Sequence, residues 1–150
     1  MRYRDTRPPG ARLFETRLRV QWADVDIAGI MYFAAYQRYA ERAEMDFFNE
    51  LGFPYNEVFT TYDIWLPRVH VETDYYRPAH MDEWLTMRTY IQKVGASSVC
   101  WKTDVFNEGT GEAGAAVAVT VACMERSTHK SRPLPPELRS KLLTCLGTDT

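Results

Sequence analysis

Asp24 and Asp26 stand two residues apart, just ahead of Gly29, where an alternating segment gives way to one with helical spacing. A helix start offers N–H groups without intrahelical acceptors and a partial positive charge. Those donors can hold a carbonyl oxygen while an ionised acid beside them attacks the carbon or draws a proton from water. The same residue types also serve as caps and turn formers. Strand alternation carries Asp24 and Asp26 to one side, so spacing alone does not separate a catalytic acid from a structural one.

Other chemistries find little support. His70, His80 and His129 lack metal-ligand spacing. Ser97 and Ser98 are not framed as Gly-x-Ser-x-Gly, and no glycine-rich phosphate loop is present. Cys100, Cys123 and Cys145 are far apart and odd in number, which suits free or buried thiols in a reducing cytoplasm.

The elements that must position the two acids follow from periodicity. Leu13 to Trp22 alternates, with Phe14, Leu18, Val20 and Trp22 on one face. From Met31 to Leu51 the step changes to three and four, with Tyr36, Ala40, Ala43, Phe47 and Leu51 forming an amphipathic stripe. Gly52 and Pro54 end it, giving a helix of about 30 Å. Strand-like alternation returns around Val69–Tyr75, Leu85–Ile91 and Val99–Val105. Asn107 to Gly111 reads as a hairpin turn, and Ala115 to Met124, small or apolar on both faces, as a central strand. A short helix opens at Pro135-Pro136, with Leu138, Leu142 and Cys145 on one side.

One strand, a long helix and four strands predict an α+β fold: an antiparallel sheet of about five strands curled around one long central helix, with a short C-terminal helix. A length of 150 residues suits a single domain over 1–150, and 45% hydrophobic residues suffice for a core. The uncovered sheet face and edges predict a homodimer. A net charge of −2 without a basic run argues against a nucleic-acid partner. No apolar run is long enough to span a membrane, and Met1–Arg12 lacks the apolar core of a signal peptide, so the expected compartment is cytoplasmic.

The run from Asp24 to Tyr36, Asp-Val-Asp-Ile-Ala-Gly-Ile-Met-Tyr-Phe-Ala-Ala-Tyr, resembles the 4-hydroxybenzoyl-CoA thioesterase family of hotdog-fold acyl-CoA thioesterases, including its Tol–Pal-linked branch. Tyr39-Ala40-Glu41-Arg42-Ala43 is similar to that branch's Tyr-Glu-Arg-Ala segment, and Lys130 to Pro135 to the family's basic, Pro-rich close. The strand order agrees from Leu13 to Leu143. The resemblance implies a hotdog fold with active sites shared across a homodimer, and a homotetramer of two dimers. It implies hydrolysis of an acyl-CoA, aromatic or short-chain, to a free acid and CoA without metal or organic cofactor.

By that resemblance Asp26 is the catalytic carboxylate, nucleophile or general base, and Asp24 pins the loop. Gly29 and the backbone of Phe33 bind the carbonyl. Tyr36 and Glu41 match positions that can face the acyl pocket, with Tyr36 also suited to the core and Glu41 to solvent, and Leu66, Pro67 and Arg68 match a segment that can line that pocket from the partner subunit. Val94 to Ser98 departs from the basic cluster some members carry. Lys93, Gly95, Ser97, Lys130 and Arg132 are then the candidates for holding CoA. Two other readings stay open on the same fold: a non-catalytic acyl-CoA-binding module, and an enoyl hydratase or dehydratase. The latter ordinarily wants a histidine at this junction, where none occurs.

Overall fold

The computed structural model describes residues 1–148. The five expected strands form one antiparallel sheet: β1 (Phe14–Arg19), β3 (Arg68–Tyr75), β4 (Trp84–Val94), β5 (Ser98–Asn107) and β6 (Ala113–Ala122), in the order β1-β4-β5-β6-β3. β6 is paired on both sides, as its two-faced apolar composition requires. Asn107 builds the β5–β6 turn: its side-chain oxygen accepts the N–H groups of Gly109 and Thr110 at 2.9 and 3.2 Å.

Helix α1 (Ala35–Leu51) lies on the inner face of the sheet, and all five residues of its stripe are buried. Phe47 meets Phe14 and Trp101 at ring separations of 5.3 and 5.2 Å, and these aromatics centre the core. Gly52 ends the helix in the left-handed region at φ 91°, where a side chain would be strained. α1 is four residues shorter than its periodicity suggests. Its first turn is lost because the Met31 and Tyr32 N–H groups donate instead to Ala79 O and Asp24 O, both at 2.7 Å. At 17 residues the helix is about 25 Å long.

Three features lie outside the periodic reading. Helix α2 (Tyr55–Thr61) follows α1 directly, and a two-stranded ribbon pairs β2 (Ile64–Trp65) with β7 (Met124–Glu125). The N-terminal residues cross the outer face of the sheet as a strap. Tyr3 packs edge-on to Tyr76 and Phe106 and donates to Asp104 at 2.8 Å, and Lys102 donates to Thr6 at 2.8 Å. Burial under this strap raises the pKa of Asp104. The C-terminal helix α3 (Pro136–Leu143) forms where expected and buries Leu138, Leu142 and Cys145.

β3 occupies one edge of the sheet, and most of its residues are exposed. Its free N–H and C=O groups are an open template for another strand. Among the described residues no helix is long and apolar enough to cross a membrane, and no cluster of metal-ligating side chains occurs.

Candidate active site

The stretch from Gln21 to Ala34 is neither strand nor regular helix. After β1 the chain tightens into a 3₁₀ turn at Trp22–Asp24 and breaks the alternation. Trp22, expected on the buried face, is therefore 81% exposed. The same turn separates the two acids, which do not share a side as alternation suggested.

Asp24 turns inward and is buried. Its carboxylate accepts the Tyr39 phenol at 2.6 Å and pairs with the Arg38 guanidinium. Its carbonyl accepts the Tyr32 N–H. One residue thus ties the loop to the first turns of α1, and its lone pairs are committed to that task.

Asp26 turns outward and is exposed. Its N–H donates to Ile30 O and its carbonyl accepts the Gly29 N–H, both at 2.9 Å. Oδ1 accepts the Ala28 N–H at 2.8 Å, and Oδ2 takes no hydrogen bond from any described residue. The loop therefore presents a carboxylate held by its own backbone with one oxygen available. Gly29 closes the turn at φ 79°, which few other residues adopt. Its N–H is spent on Asp26 O, which corrects the expectation that it joins Phe33 in donating to a carbonyl.

The Phe33 N–H precedes α1 and has no acceptor among the described residues. Its carbonyl accepts the Tyr75 phenol at 2.8 Å, so the end of β3 braces this peptide. Two clefts flank this segment. Asp26, Tyr32, Ala34, Ala35 and Arg38 line one of about 380 Å³. Met31, Phe33, Tyr36, Tyr75 and Tyr76 line a second, mostly apolar, of about 370 Å³. Tyr36 is buried edge-on against Tyr75 at 5.4 Å, and burial raises its pKa. It supplies a wall and a core contact together.

The remaining candidates lie elsewhere in the single chain. Glu41 is exposed on the β1 side of α1, in a groove with Arg38 and Arg42. Phe33 precedes the helix, so no helical row carries it to Glu41, and Glu41 is not on the walls of the aromatic cleft. Leu66 is buried in the core, and Pro67 O accepts the Ala122 N–H. Arg68 pairs with Glu44, nine residues along α1 from its start.

Lys93, Gly95, Ser97, Lys130 and Arg132 gather at the opposite end of β4, roughly 33 Å along that strand from Trp84. There Gly95 O accepts Arg139, Ser97 O accepts the Cys123 N–H, and Arg132 donates to Tyr62 O. These three stitch the β4–β5 turn and α2 to the C-terminal segment; Lys93 and Lys130 are exposed. Within one chain none of the five approaches Asp26.

Glu44 was not singled out by periodicity, because it falls among the helix's charged positions. It is 1% exposed, accepts the Tyr55 phenol of α2, and pairs with Arg68 of β3. Burial raises its pKa, and those two partners oppose the rise. Burial and the neighbouring Glu44 charge raise the pKa of Tyr55. A polar side chain one step from the stripe was the available signal.

A curled antiparallel sheet around one long helix, with strand order β1-β4-β5-β6-β3, defines a hotdog fold. The profile of the thioesterase-like superfamily matches residues 20–142, and the chain belongs to that family. It is 26% identical over 126 residues to an acyl-CoA thioester hydrolase, YbgC, of Escherichia coli O157:H7, covering 84% of this chain and 92% of that protein. It is 29% identical over 126 residues to a 1,4-dihydroxy-2-naphthoyl-CoA hydrolase of Nostoc punctiforme, covering 79% of each. A thioesterase-superfamily crystal structure from Jannaschia sp. CCS1 superposes with a TM-score of 0.83 at 24% identity, covering 97% of this chain and all of that one.

Proposed function

We propose that the protein is an acyl-CoA thioesterase of the 4-hydroxybenzoyl-CoA type, with Asp26 as its catalytic carboxylate. The observation that carries this reading is the exposed Asp26 carboxylate, with one uncommitted oxygen, in the same loop as a Phe33 N–H that has no acceptor among the described residues just ahead of α1. The thioester oxygen is held by that N–H, a contact worth roughly 3–4 kcal/mol in the transition state. Asp26 then adds to the carbonyl carbon and expels CoA thiolate, leaving a mixed anhydride that water opens. In the other route it takes a proton from the water that attacks. Either route yields free acid and CoA, and neither calls for a metal or an organic cofactor.

The acyl group enters the aromatic cleft at Phe33, Tyr36, Tyr75 and Tyr76, which favours an aromatic or short apolar acyl chain. The test is thiol release from benzoyl-CoA, a short aliphatic acyl-CoA and crotonyl-CoA. Benzoyl-CoA is expected to give the highest kcat/KM. CoA esters that bind without releasing thiol would replace this reading with a binding module, and water addition to crotonyl-CoA would replace it with a hydratase.

The working unit is a homodimer joined along the β3 edges, and two such dimers make a tetramer. Exposed β3 backbone favours this pairing. Tyr75, near the end of that edge, bonds to Phe33 O, so the seam reaches the carbonyl-binding loop. Sedimentation equilibrium at micromolar concentration is expected to give a dimer or tetramer mass; a monomer mass would rule the seam out. A cytoplasmic setting goes with this substrate class.

A further inference from the structure

Among the described residues, Tyr75 is the only one whose side chain bonds to the backbone of Phe33, with its phenol 2.8 Å from the carbonyl oxygen. Tyr75 closes β3 on the edge of the sheet, and that end of the strand is firmly held. It pairs with Ala115 of β6, and the Tyr76 and Arg77 N–H groups both donate to Gly114 O, at 2.8 and 3.1 Å. Gly114 permits this approach, since a Cβ there would meet Arg77 O at 3.2 Å. The Tyr75 ring stands edge-on to buried Tyr36, which limits where its hydroxyl can lie. Partial burial raises the pKa of the phenol, which keeps its donor proton across the neutral range.

Two rigid peptide planes meet at the Phe33 Cα, and only φ and ψ separate them. The plane that carries the Phe33 N–H also carries Tyr32 O, which accepts the Ala35 N–H at 2.9 Å. The next plane carries Phe33 O, and no backbone N–H among the described residues donates to it. The Tyr75 phenol takes that place. With a bond on each plane, φ and ψ of Phe33 are held, and with them the direction of its N–H.

We infer that Tyr75 is a positioning residue for thioester hydrolysis: its hydroxyl aims the Phe33 N–H at the carbonyl oxygen without touching the reacting atoms. The inference rests on the thioesterase reading for its reaction. A donor to a developing oxyanion is most effective when its direction is set beforehand, because no reorganisation is then needed as charge appears. The brace therefore acts on the transition state and is read in kcat more than in KM. Phe33 and Tyr75 belong to one protomer, so the brace is the same whichever subunit completes the acyl pocket. Through it, order at the end of β3 is passed to the start of α1.

The test is Tyr75→Phe in the full chain, read by thiol release from benzoyl-CoA and 4-hydroxybenzoyl-CoA and by NMR of the Phe33 carbonyl carbon and the Ala34 amide nitrogen. Phenylalanine keeps the edge-on contact with Tyr36 and loses only the hydroxyl. The bond is exposed, so water can satisfy Phe33 O and the Tm is expected to change little. For both esters kcat is expected to fall roughly tenfold, the loss of one hydrogen bond, with KM nearly unchanged. Both resonances report hydrogen bonding at Phe33 O and are expected to shift. A loss confined to the hydroxylated ester would overturn the inference, since the phenol would then be contacting the acyl group. An unchanged kcat, or a loss carried wholly by KM, would overturn it as well. Absence of thiol release from any ester by wild type would instead defeat the thioesterase reading, and the two resonances would still decide whether Tyr75 holds Phe33.

Discussion

Asp26→Asn is expected to fold as wild type does and to lose about 10³-fold or more in kcat for thiol release from an acyl-CoA. The amide keeps the shape of the side chain, and its Oδ1 can still accept the Ala28 N–H that orders the turn. It can neither add to a thioester carbonyl nor take a proton from water. Because the side chain is exposed, the change buries no unpaired group, and the Tm should stay put. Asp24→Asn separates the two acids by the opposite pattern. It weakens the pair between buried Asp24 and exposed Arg38 and the buried Tyr39 bond, so stability falls, and activity declines only as the loop loosens. The paired readout is kcat by thiol release and Tm by calorimetry. A kcat near wild type in Asp26→Asn would remove the carboxylate from the mechanism.

Glu44→Ala is expected to be the costliest single polar substitution for stability. Removing one member of a buried ion pair typically costs about 3–5 kcal/mol, because the partner charge is left uncompensated. Arg68 is about one-third exposed and can turn toward water, which reduces the expected loss to roughly 2–3 kcal/mol. For a chain of this length that corresponds to a Tm lower by roughly 5–10 °C. The pH dependence distinguishes this pair from a generic packing loss. Burial raises the folded-state pKa of Glu44 above its ordinary value of 4.5, so the native state holds that proton more tightly than the unfolded chain. The resulting stability is fully present below the unfolded pKa and is lost as pH rises through the raised value. Asp104 under the strap acts in the same sense from its ordinary 3.8. Glu44→Gln should therefore flatten part of the fall in Tm above about pH 4.5 that wild type shows. Identical Tm-versus-pH curves for wild type and Glu44→Gln would contradict this account.

Much of the fold was readable from periodicity because its strands are long and half-buried and α1 carries a clean stripe. Leu85, Met87 and Ile91 fall buried on one face of β4 as their alternation requires. Tyr36, Ala40, Ala43, Phe47 and Leu51 do the same on α1. Short elements escaped for the converse reason. α2 has seven residues, and β2 and β7 two each, too few for a period to emerge. The start of α1 was misplaced because Met31 and Tyr32 look helical by composition while their N–H groups bond to Ala79 and Asp24, distant in sequence or around a turn.

Taken by itself, the order of residues determined the α+β layout and the junction at which Asp24, Asp26 and Gly29 meet a helix start, while the Phe33 backbone entered only through the family resemblance. Local propensity and hydrophobic period suffice for the layout and the junction, because each depends on neighbours along the chain. Only the tertiary structure decided which acid is free. The 3₁₀ turn swings Asp24 under α1 onto Tyr39 and Arg38 and leaves Asp26 with an uncommitted oxygen. The fold likewise spends the Gly29 N–H inside the turn, leaves the Phe33 N–H without an acceptor among the described residues, and within one chain holds the basic residues of the β4–β5 turn at the other end of β4. Such outcomes depend on burial and on hydrogen bonds between distant segments, which alternation along one strand does not encode.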